Sequence, residues 1–326
     1  MIVKEMQACK RSQVTFLKNI GLSILLVFLI VVIYLYMDSV ECQRFKRSFE
    51  YRYPHRLKYL SYGNYVHNIN NVYVTYYHPI SPKNSCHGNA SLVIVVKSAI
   101  LNFGRRQAIR QTWGADNKTF VYFSVGVDSY SQARILNESR TFNDIIQGSF
   151  IDMYRNNIHK TSMNFKWIAD HCSNIKNVLL VDDDYFVNVD GIISYFKMYD
   201  TYNQMYGYLG QCWKPFRSCS DEKSYIPKKE YPFYYWPDYL IGGSILTSTN
   251  VISKMARNIP HIQSLSIDDT FVGIVAHLLK IDLLDDWRFS NTYKSPWQMK
   301  HNYLTAHGYD EETLLKTWQE FKIKRV

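Results

Sequence analysis

The stretch NVLLVDDDYFVN, residues 177–188, decides the fold, because an apolar run leads directly into three consecutive aspartates. The apolar residues predict a buried β-strand. Asp182, Asp183 and Asp184 then place three like charges where desolvation is costly, unless a cation is held beside them. A turn or a helix cap, which also uses carboxylates as acceptors, is the alternative interpretation. We therefore expect a metal site at the end of this strand.

The aspartate triplet also indicates which ion and which substrate to expect. Carboxylate oxygens are hard ligands that suit Mg²⁺ or Mn²⁺. An ion held by so few protein ligands completes its coordination with phosphate oxygens of a substrate. A nucleotide-activated donor follows from this reasoning.

Strands and helices alternate around this stretch. Two runs rich in β-branched and aromatic residues predict buried strands, at residues 91–99 and 119–127. Helical patterns occupy residues 103–114, continue from 161 towards 172, and recur around 191–199. This alternation predicts an α/β domain with a largely parallel sheet, whose ligands gather beyond the carboxyl ends of the strands.

The charge balance limits the classes of partner. The 326 residues include 38 Lys and Arg against 28 Asp and Glu, a formal net charge of +10. Such a surface suits a polyanion, an anionic membrane or a phosphorylated small molecule. The basic residues are dispersed and match no nucleic-acid-binding motif, so we expect no nucleic-acid partner.

An apolar stretch near the N-terminus predicts a membrane anchor. Residues 20–37, IGLSILLVFLIVVIYLYM, carry no charge and are long enough to span a bilayer. Their bulky end differs from a signal-peptide cleavage site, which favours an uncleaved anchor. The basic residues that flank the stretch do not decide its orientation. Three Asn-X-Ser/Thr sequons, at Asn89, Asn117 and Asn137, all follow the anchor, as a lumenal C-terminal portion requires.

Four cysteines fall in the region predicted to be globular: Cys86, Cys172, Cys212 and Cys219. Their even number is compatible with two disulfides in an oxidising compartment, with the pairing left open. The expected organisation is a cytosolic tail at 1–19, an anchor at 20–37, a stem at 38–85 and a catalytic domain at 86–326.

Two more stretches carry residues of chemical interest. YLIGGSILTS, residues 239–248, places Gly242 and Gly243 inside a strand pattern, which indicates a bulge or a close backbone approach. SIDDTFVGIVAHLLKI, residues 266–281, places Asp268 and Asp269 in the first turn of a predicted helix.

Six motifs follow one another along the chain: RRQAIRQTWG (105–114), FIDMYRNNIHKT (150–161), VLLVDDDYFVN (178–188), EYPFYYWPDYLIGGSILTS (230–248), DDTFVG (268–273) and TAHGYDEETLLKTW (305–318). In order and spacing the chain resembles the β1,3-galactosyltransferase group of glycosyltransferase family 31. The resemblance implies a type II Golgi membrane enzyme with a GT-A-like fold, a UDP-sugar donor, a divalent metal ion and inversion at the anomeric carbon.

The resemblance also implies roles for residues near the nucleotide. Asp184 would bind the metal, and Asp182 would contact the uridine ribose or the surroundings of the metal. Asp183 would belong to the same donor site. Arg105 and Arg110 would bind the nucleotide or its phosphates, and their alternative is a solvated basic helix face.

The resemblance further implies roles for residues near the acceptor. Asp269 would be the base that takes the proton of the acceptor hydroxyl, with a helix-terminal carboxylate as its structural alternative. Asp268 suits that structural role better, although a single sequence does not rank the two. Gly242 and Gly243 would let the backbone approach the sugar or the acceptor.

His307, in TAHGYDEETLLKTW, is expected to be the second metal ligand. A neutral imidazole would add a ligand without adding negative charge beside the departing UDP. His301 is the competing histidine six residues upstream, and a capping or surface role is the alternative for either.

The chain departs from the family pattern at several positions, including Ile241, Trp236 and Asp268, and these leave the substrate open. The leading interpretation is transfer of galactose from UDP-galactose to a glycan acceptor on a glycoprotein or glycolipid. The alternatives are a β1,3-N-acetylglucosaminyltransferase, an inactive glycan-binding relative and a metal-dependent phosphoesterase.

Overall fold

The computed structural model describes residues 2–52, 79–218, 223–262 and 264–323, without the side chains of residues 2–22 and 49–52. The chain divides into two compact units, Met1–Tyr53 and Pro54–Val326. Each unit is described by itself.

The N-terminal unit is a single helix, α1 (Ile2–Arg52). Its Ser23–Ser48 portion reaches a mean hydropathy of 2.4 and is long and apolar enough to cross a membrane. The expected anchor lies within α1, but the helix continues through residues 38–52, where an irregular stem was expected. Lys, Arg, Glu and Gln in this part are good helix formers that extend a helix already begun. The rest of the expected stem, apart from residues 79–85, lies outside the described residues.

The second unit is built on a seven-stranded sheet with the order β3-β2-β1-β4-β7-β6-β8. The strands are β1 (Leu92–Lys97), β2 (Thr119–Val127), β3 (Ile145–Ile151), β4 (Asn177–Asp182), β6 (Gln204–Gly210), β7 (Tyr239–Ser248) and β8 (Asp282–Asp285). Strands β3, β2, β1 and β4 are parallel, as are β6 and β8, whereas β7 runs antiparallel to both of its neighbours. The expected mostly parallel sheet is confirmed.

Eight helices accompany the described part of this unit: α2 (Phe103–Gln111), α3 (Gln132–Phe142), α4 (Asn157–His171), α5 (Val189–Tyr195), α6 (Thr249–Asn258), α7 (Asp268–Leu278), α8 (Pro296–His301) and α9 (Glu311–Lys322). The buried strands β1 and β4 contribute apolar side chains to the core. Trp113, which follows α2, is fully buried and donates its indole N–H to the carbonyl of Tyr185 at 3.2 Å.

A small second sheet brings the C-terminal region to the aspartate triplet. It consists of β5 (Tyr185–Val187), β10 (Thr305–His307) and β9 (Phe289–Ser290), with β10 in the centre. Tyr185 pairs with His307 across the antiparallel β5–β10 ladder. The residue after His307 is Gly308, whose φ of 96° favours glycine.

The folded unit starts earlier than residue 86, because Ile80 forms a β-bridge with Gln147. Cys86 and Cys172 form a disulfide that ties the segment before β1 to the end of α4. Such a crosslink is expected of an oxidising compartment. Cys219 lies outside the described residues.

The register of the main sheet places two acidic segments at one edge. Val181, near the end of β4, lies opposite Ser244 of the antiparallel strand β7. Gly242 and Gly243 of β7 therefore lie beyond the carboxyl end of β4, on the same side as the aspartate triplet. This edge holds the candidate site.

Candidate active site

A cavity of about 440 Å³ opens beyond the carboxyl ends of β1 and β4. Its wall includes the aspartate triplet, Arg105 and the half-exposed Tyr154. A much smaller space next to it is lined by Asp268, Asp269 and Gly242, and Lys97 borders both spaces. Both spaces therefore lie at the edge of the sheet where the sequence places the site.

Asp184 and His307 meet at the entrance to this site. Asp184 Oδ2 lies 3.3 Å from His307 Nε2 and 3.3 Å from Arg105 Nη1. Burial by itself raises the pKa of Asp184, but His307 and Arg105 outweigh that effect and lower it. The hydrogen bond to Asp184 in turn raises the pKa of His307. The two residues expected to share a metal ion are therefore neighbours, although β4 and β10 are far apart in the chain.

The loop after β4 is held in place by the residues that follow His307. The carbonyl oxygen of Asp184 accepts hydrogen bonds from the N–H groups of Gly308 and Tyr309, each at 3.0 Å. The left-handed backbone of Gly308 makes this double contact possible. His301 lies elsewhere, on α8, where its ring packs 5.0 Å from that of Trp297.

Asp182 faces the interior of the site and pairs with Lys97. Its Oδ1 lies 3.2 Å from Lys97 Nζ, and burial raises the pKa of Asp182 to about 6. Lys97 Nζ also lies 3.0 Å from Asp268 Oδ2, so one buried cation joins the two acidic segments. The sequence interpretation missed Lys97, because it ends an apolar run that predicts only a strand.

The carboxylate of Asp183 is directed into the protein. It accepts hydrogen bonds from Ser98 Oγ at 2.6 Å, Asn102 Nδ2 at 2.9 Å and Arg105 Nη1 at 3.2 Å. Only 6% of Asp183 is exposed. This arrangement makes Asp183 an anchor for the loop after β1 and does not support the expected contact with the cofactor.

Arg110 does not lie at the site, so its expected role in binding the nucleotide is wrong. Its guanidinium bonds Asp144 through Nε at 2.7 Å and Glu138 through Nη2 at 2.7 Å. Arg106 is fully buried and pairs with the same glutamate. The reason is helix geometry: Arg110 lies five positions after Arg105, and at 100° per residue the two side chains point about 140° apart. Of the three arginines in α2, Arg105 is the one that lines the cavity.

The adjacent aspartates of α7 have different surroundings. Asp268 accepts hydrogen bonds from Lys97 Nζ at 3.0 Å and from Thr161 Oγ1 at 2.7 Å. Burial alone raises the pKa of Asp268, but Lys97 and Thr161 lower it overall. For Asp269, burial and the negative charge of Asp268 raise the pKa to about 7, despite a hydrogen bond from the Gly242 N–H. The surroundings therefore lower the pKa of Asp268 and raise that of Asp269.

Ser266, two residues before α7, does not cap this helix. Ile267 precedes the first turn of α7 and provides no side-chain cap. Ser266 instead donates its N–H and hydroxyl to Glu230 Oε1, at 2.6 and 2.7 Å. The start of α7 is fixed by this tertiary contact.

Gly242 and Gly243 make room for side chains of the site. A Cβ on Gly242 would lie 1.9 Å from Asp269 Oδ1, and a Cβ on Gly243 would lie 2.3 Å from Tyr185 Oη. Both distances are far below van der Waals contact. The expected close approach exists, but the neighbours of the glycines in the structure are Asp269 and Tyr185.

Another ion pair in the cavity wall was missed from the sequence. Lys160 Nζ donates to the carbonyl of Ser98 at 2.7 Å and lies 3.2 Å from Asp152 Oδ1. Burial lowers the pKa of Lys160. Both residues belong to the motif FIDMYRNNIHKT, which was noted only for its family likeness.

Protein ligands for a metal ion are few. In the parts of the chain that the structure describes, no group of three or more His, Cys, Asp and Glu residues could hold an ion. Asp184 lines the large cavity, and His307 Nε2 lies 3.3 Å from its Oδ2, so these two residues could share an ion. A site of this kind needs further oxygen ligands from water or from a bound diphosphate.

Known proteins resemble this chain over its catalytic region. A family model described as Galactosyltransferase matches residues 104–286. The chain is 32% identical over 244 residues to the beta-1,3-galactosyltransferase brn of Drosophila melanogaster, covering 71% of this chain and 74% of that protein. It is 27% identical over 293 residues to the UDP-GalNAc:beta-1,3-N-acetylgalactosaminyltransferase 1 of Homo sapiens, covering 80% and 86%.

Among solved structures, the chain is similar to a glycosyltransferase involved in the glycosylation of the major capsid of PBCV-1. The TM-score is 0.42 at 8% identity, over 70% of this chain and 98% of that one. The match to the family model includes Arg105, the aspartate triplet and Asp269. The chain therefore belongs to the galactosyltransferase family of β1,3-glycosyltransferases, glycosyltransferase family 31.

Proposed function

We propose that the protein transfers galactose from UDP-galactose to a glycan acceptor in β1,3 linkage, with inversion at the anomeric carbon. One observation carries the proposal: Lys97 joins the acidic group that holds Asp182 to the one that holds Asp269. A donor site and a general base are thereby brought to one edge of the sheet. The alternative of a phosphoesterase needs no such base for an acceptor sugar.

Asp269 is the proposed general base. It would take the proton from the acceptor hydroxyl as that oxygen attacks the anomeric carbon from the face opposite UDP. A pKa of about 7 suits this task, because the carboxylate is then both available and basic near neutral pH. Lys97 and Thr161 lower the pKa of Asp268, and the negative charge of Asp268 helps to raise the pKa of Asp269.

Asp184 and His307 are the proposed protein ligands of a divalent ion, Mn²⁺ or Mg²⁺. When bound, such an ion supplies positive charge that stabilises the departing diphosphate. Arg105 lines the same cavity and is placed to bind the donor's phosphates. Asp183 contributes by holding the Arg105 guanidinium at 3.2 Å.

The donor sugar is the finer part of the proposal. The Drosophila relative is named for galactose and the human relative for N-acetylgalactosamine. UDP-GalNAc is therefore the second candidate donor, and UDP-GlcNAc remains the alternative that the sequence suggested. The acceptor is proposed to be a glycan on a glycoprotein or glycolipid.

We place the protein in the Golgi membrane as a single-pass type II protein with its catalytic domain in the lumen. The apolar part of α1, the Cys86–Cys172 disulfide and the exposure of Asn89, Asn117 and Asn137 support this proposal. Protease treatment of sealed microsomes should leave the catalytic domain intact until detergent is added. Digestion without detergent would contradict this topology.

The test of function uses the full chain in detergent with UDP-Gal, UDP-GalNAc or UDP-GlcNAc and with methyl glycosides as acceptors. We expect acceptor-dependent release of UDP, highest with UDP-Gal, and a β1,3-linked product. Transfer with another donor would change the proposed donor sugar and leave the proposed transferase activity in place. Phosphate-ester hydrolysis that needs no acceptor would overturn the proposal.

A further inference from the structure

The connection between β6 and β7, residues 211–238, begins and ends at the edge of the sheet that carries the active site. Gly210 pairs with Tyr239, so the neighbouring antiparallel strands could be joined by a tight turn. The chain instead inserts a long segment, which we call the β6–β7 insertion. Long loops without regular elements are usually functional or disordered. The described parts of this one, residues 211–218 and 223–238, hold no helix or strand beyond a bridge between Phe216 and Tyr225.

The insertion is nonetheless held by specific hydrogen bonds. Arg217 donates to the carbonyls of Ile226 at 2.6 Å, Tyr231 at 2.7 Å and Phe233 at 2.9 Å. Tyr231 is buried and donates its hydroxyl to the carbonyl of Tyr235 at 2.7 Å. A loop fastened in this way can present side chains in a fixed position, which reduces the entropy lost when a ligand binds.

The insertion is also attached to the helix that carries the proposed base. Glu230 accepts the N–H and hydroxyl of Ser266, two residues before α7 begins. Directly after the insertion, Tyr239 begins β7 and packs against Gly273, where an added Cβ would lie 2.4 Å from Tyr239 Cβ. Gly273 is one helical turn beyond Asp269, so Tyr239 covers the turn next to the base.

Trp213 lies on the outer side of Tyr239. The two rings meet edge to face with centroids 5.9 Å apart, and 47% of Trp213 is exposed. The Trp213 carbonyl accepts the N–H of the buried Trp236 at 2.8 Å, which fixes the backbone that carries the exposed ring. An exposed aromatic residue alone needs no explanation. This one packs on Tyr239, which in turn contacts Gly273 of α7, the helix that carries Asp269.

We propose that Trp213 is an acceptor-binding residue whose exposed ring packs against a pyranose ring of the acceptor glycan. This inference rests on the proposed function, since it needs an acceptor hydroxyl beside Asp269. A pyranose has a face of C–H groups that packs on an aromatic ring while its hydroxyls remain in water, and tryptophan offers the largest such surface. The charged donor binds instead in the cavity lined by Arg105 and Asp184.

The test compares Trp213→Ala, Trp213→Phe and Trp213→Gln with Trp297→Ala in the full chain. Trp297 is a matched control, because it is 59% exposed and lies on α8, outside the β6–β7 insertion. Michaelis constants are measured for UDP-Gal and for methyl β-galactoside, methyl β-N-acetylglucosaminide and methyl β-mannoside. We expect Trp213→Ala and Trp213→Gln to raise the acceptor KM about tenfold, the loss typical of a central contact residue. The donor KM should change less than about twofold, and Trp213→Phe should retain most of the affinity.

A binding measurement separates this inference from the proposed function. Tryptophan fluorescence is titrated with the same three glycosides in the presence of UDP, in the wild type, in Trp213→Phe and in the control Trp297→Ala. A glycoside-dependent change that is lost only in the Trp213 variant supports the inference even if no sugar is transferred. An unchanged acceptor KM in Trp213→Ala and Trp213→Gln would overturn it, as would an equal rise in the donor KM or an unchanged fluorescence response in Trp213→Phe. Absence of transfer by the wild type would count against the proposed function alone.

Discussion

Asp184 Oδ2 lies 3.3 Å from His307 Nε2, although Asp184 follows β4 and His307 ends β10. The small β5–β10–β9 sheet creates this contact by pairing His307 directly with Tyr185. The backbone N–H groups of Gly308 and Tyr309 then hold the Asp184 carbonyl. The pair is therefore built into the fold rather than formed by two flexible side chains.

Replacement of His307 by Ala should raise the Mn²⁺ concentration needed for half-maximal transfer by about tenfold or more, because one protein ligand is lost. His301→Ala is the matched control, since His301 packs on Trp297 away from the cavity. The measurement is a Mn²⁺ titration of the transfer rate. Equal Mn²⁺ dependence in the wild type and His307→Ala would remove His307 from the metal site.

Chelation should abolish transfer, and added Mn²⁺ or Mg²⁺ should restore it. Asp184→Ala should remain folded, because Asp184 is partly exposed and its backbone contacts stay in place, but it should be inactive at any metal concentration. Thermal unfolding and transfer assays on the same preparation check both statements. Full activity in excess chelator would show that no dissociable metal ion is needed.

Asp269→Asn should keep UDP binding but lose transfer by about 10²–10⁴-fold, the usual contribution of a positioned base. Asp268→Asn breaks a buried ion pair with Lys97, so its main effect should be on stability. UDP binding by calorimetry, transfer rates and melting temperatures distinguish the two variants. A loss of transfer in Asp268→Asn alone, with normal stability, would make Asp268 the base and leave Asp269 with the structural role.

The pH dependence of transfer should report Asp269. Its pKa is raised to about 7 by burial and by the charge of Asp268, and only the ionised form accepts a proton. As pH falls below about 7, kcat/KM should therefore decrease about tenfold per unit, and above it kcat/KM should level off. The residual activity of Asp269→Asn should lack this acidic limb. A wild-type profile that is flat from about pH 5 to 8 would contradict the assignment.

Arg110→Gln should lower the free energy of unfolding by about 3 kcal/mol, since it leaves the buried carboxylate of Asp144 without its cation. The donor KM should stay unchanged, because Arg110 does not line the cavity. Arg105→Gln should have the opposite profile, with a raised donor KM and a small effect on stability. Denaturant unfolding and donor kinetics of both variants test the contrast.

Local pattern was sufficient to locate some of the elements. The β-branched runs predicted β1, β2 and β4, and the charged residues after β4 predicted which edge of the sheet holds the site. These features follow from periodicity and desolvation cost, which depend on neighbours in sequence. The α2 helix was likewise predicted, but its three arginines carry the same charge. The sequence therefore did not show that Arg105 faces the cavity and Arg110 faces Glu138.

The sequence by itself determined the apolar helix, the alternating strands and helices, and the position of the acidic residues at their ends. Only the tertiary structure decided which of those residues share a site. Lys97 joins Asp182 to Asp268, and the absence of a side chain at Gly242 leaves room for Asp269. Both are contacts between segments that are distant in sequence. Such contacts depend on how helices rotate and how strands register against one another, and a single local pattern is compatible with several of these arrangements. The different behaviour of Asp268 and Asp269 has the same origin, because burial and the nearest cation, rather than residue type, set the pKa of each carboxylate.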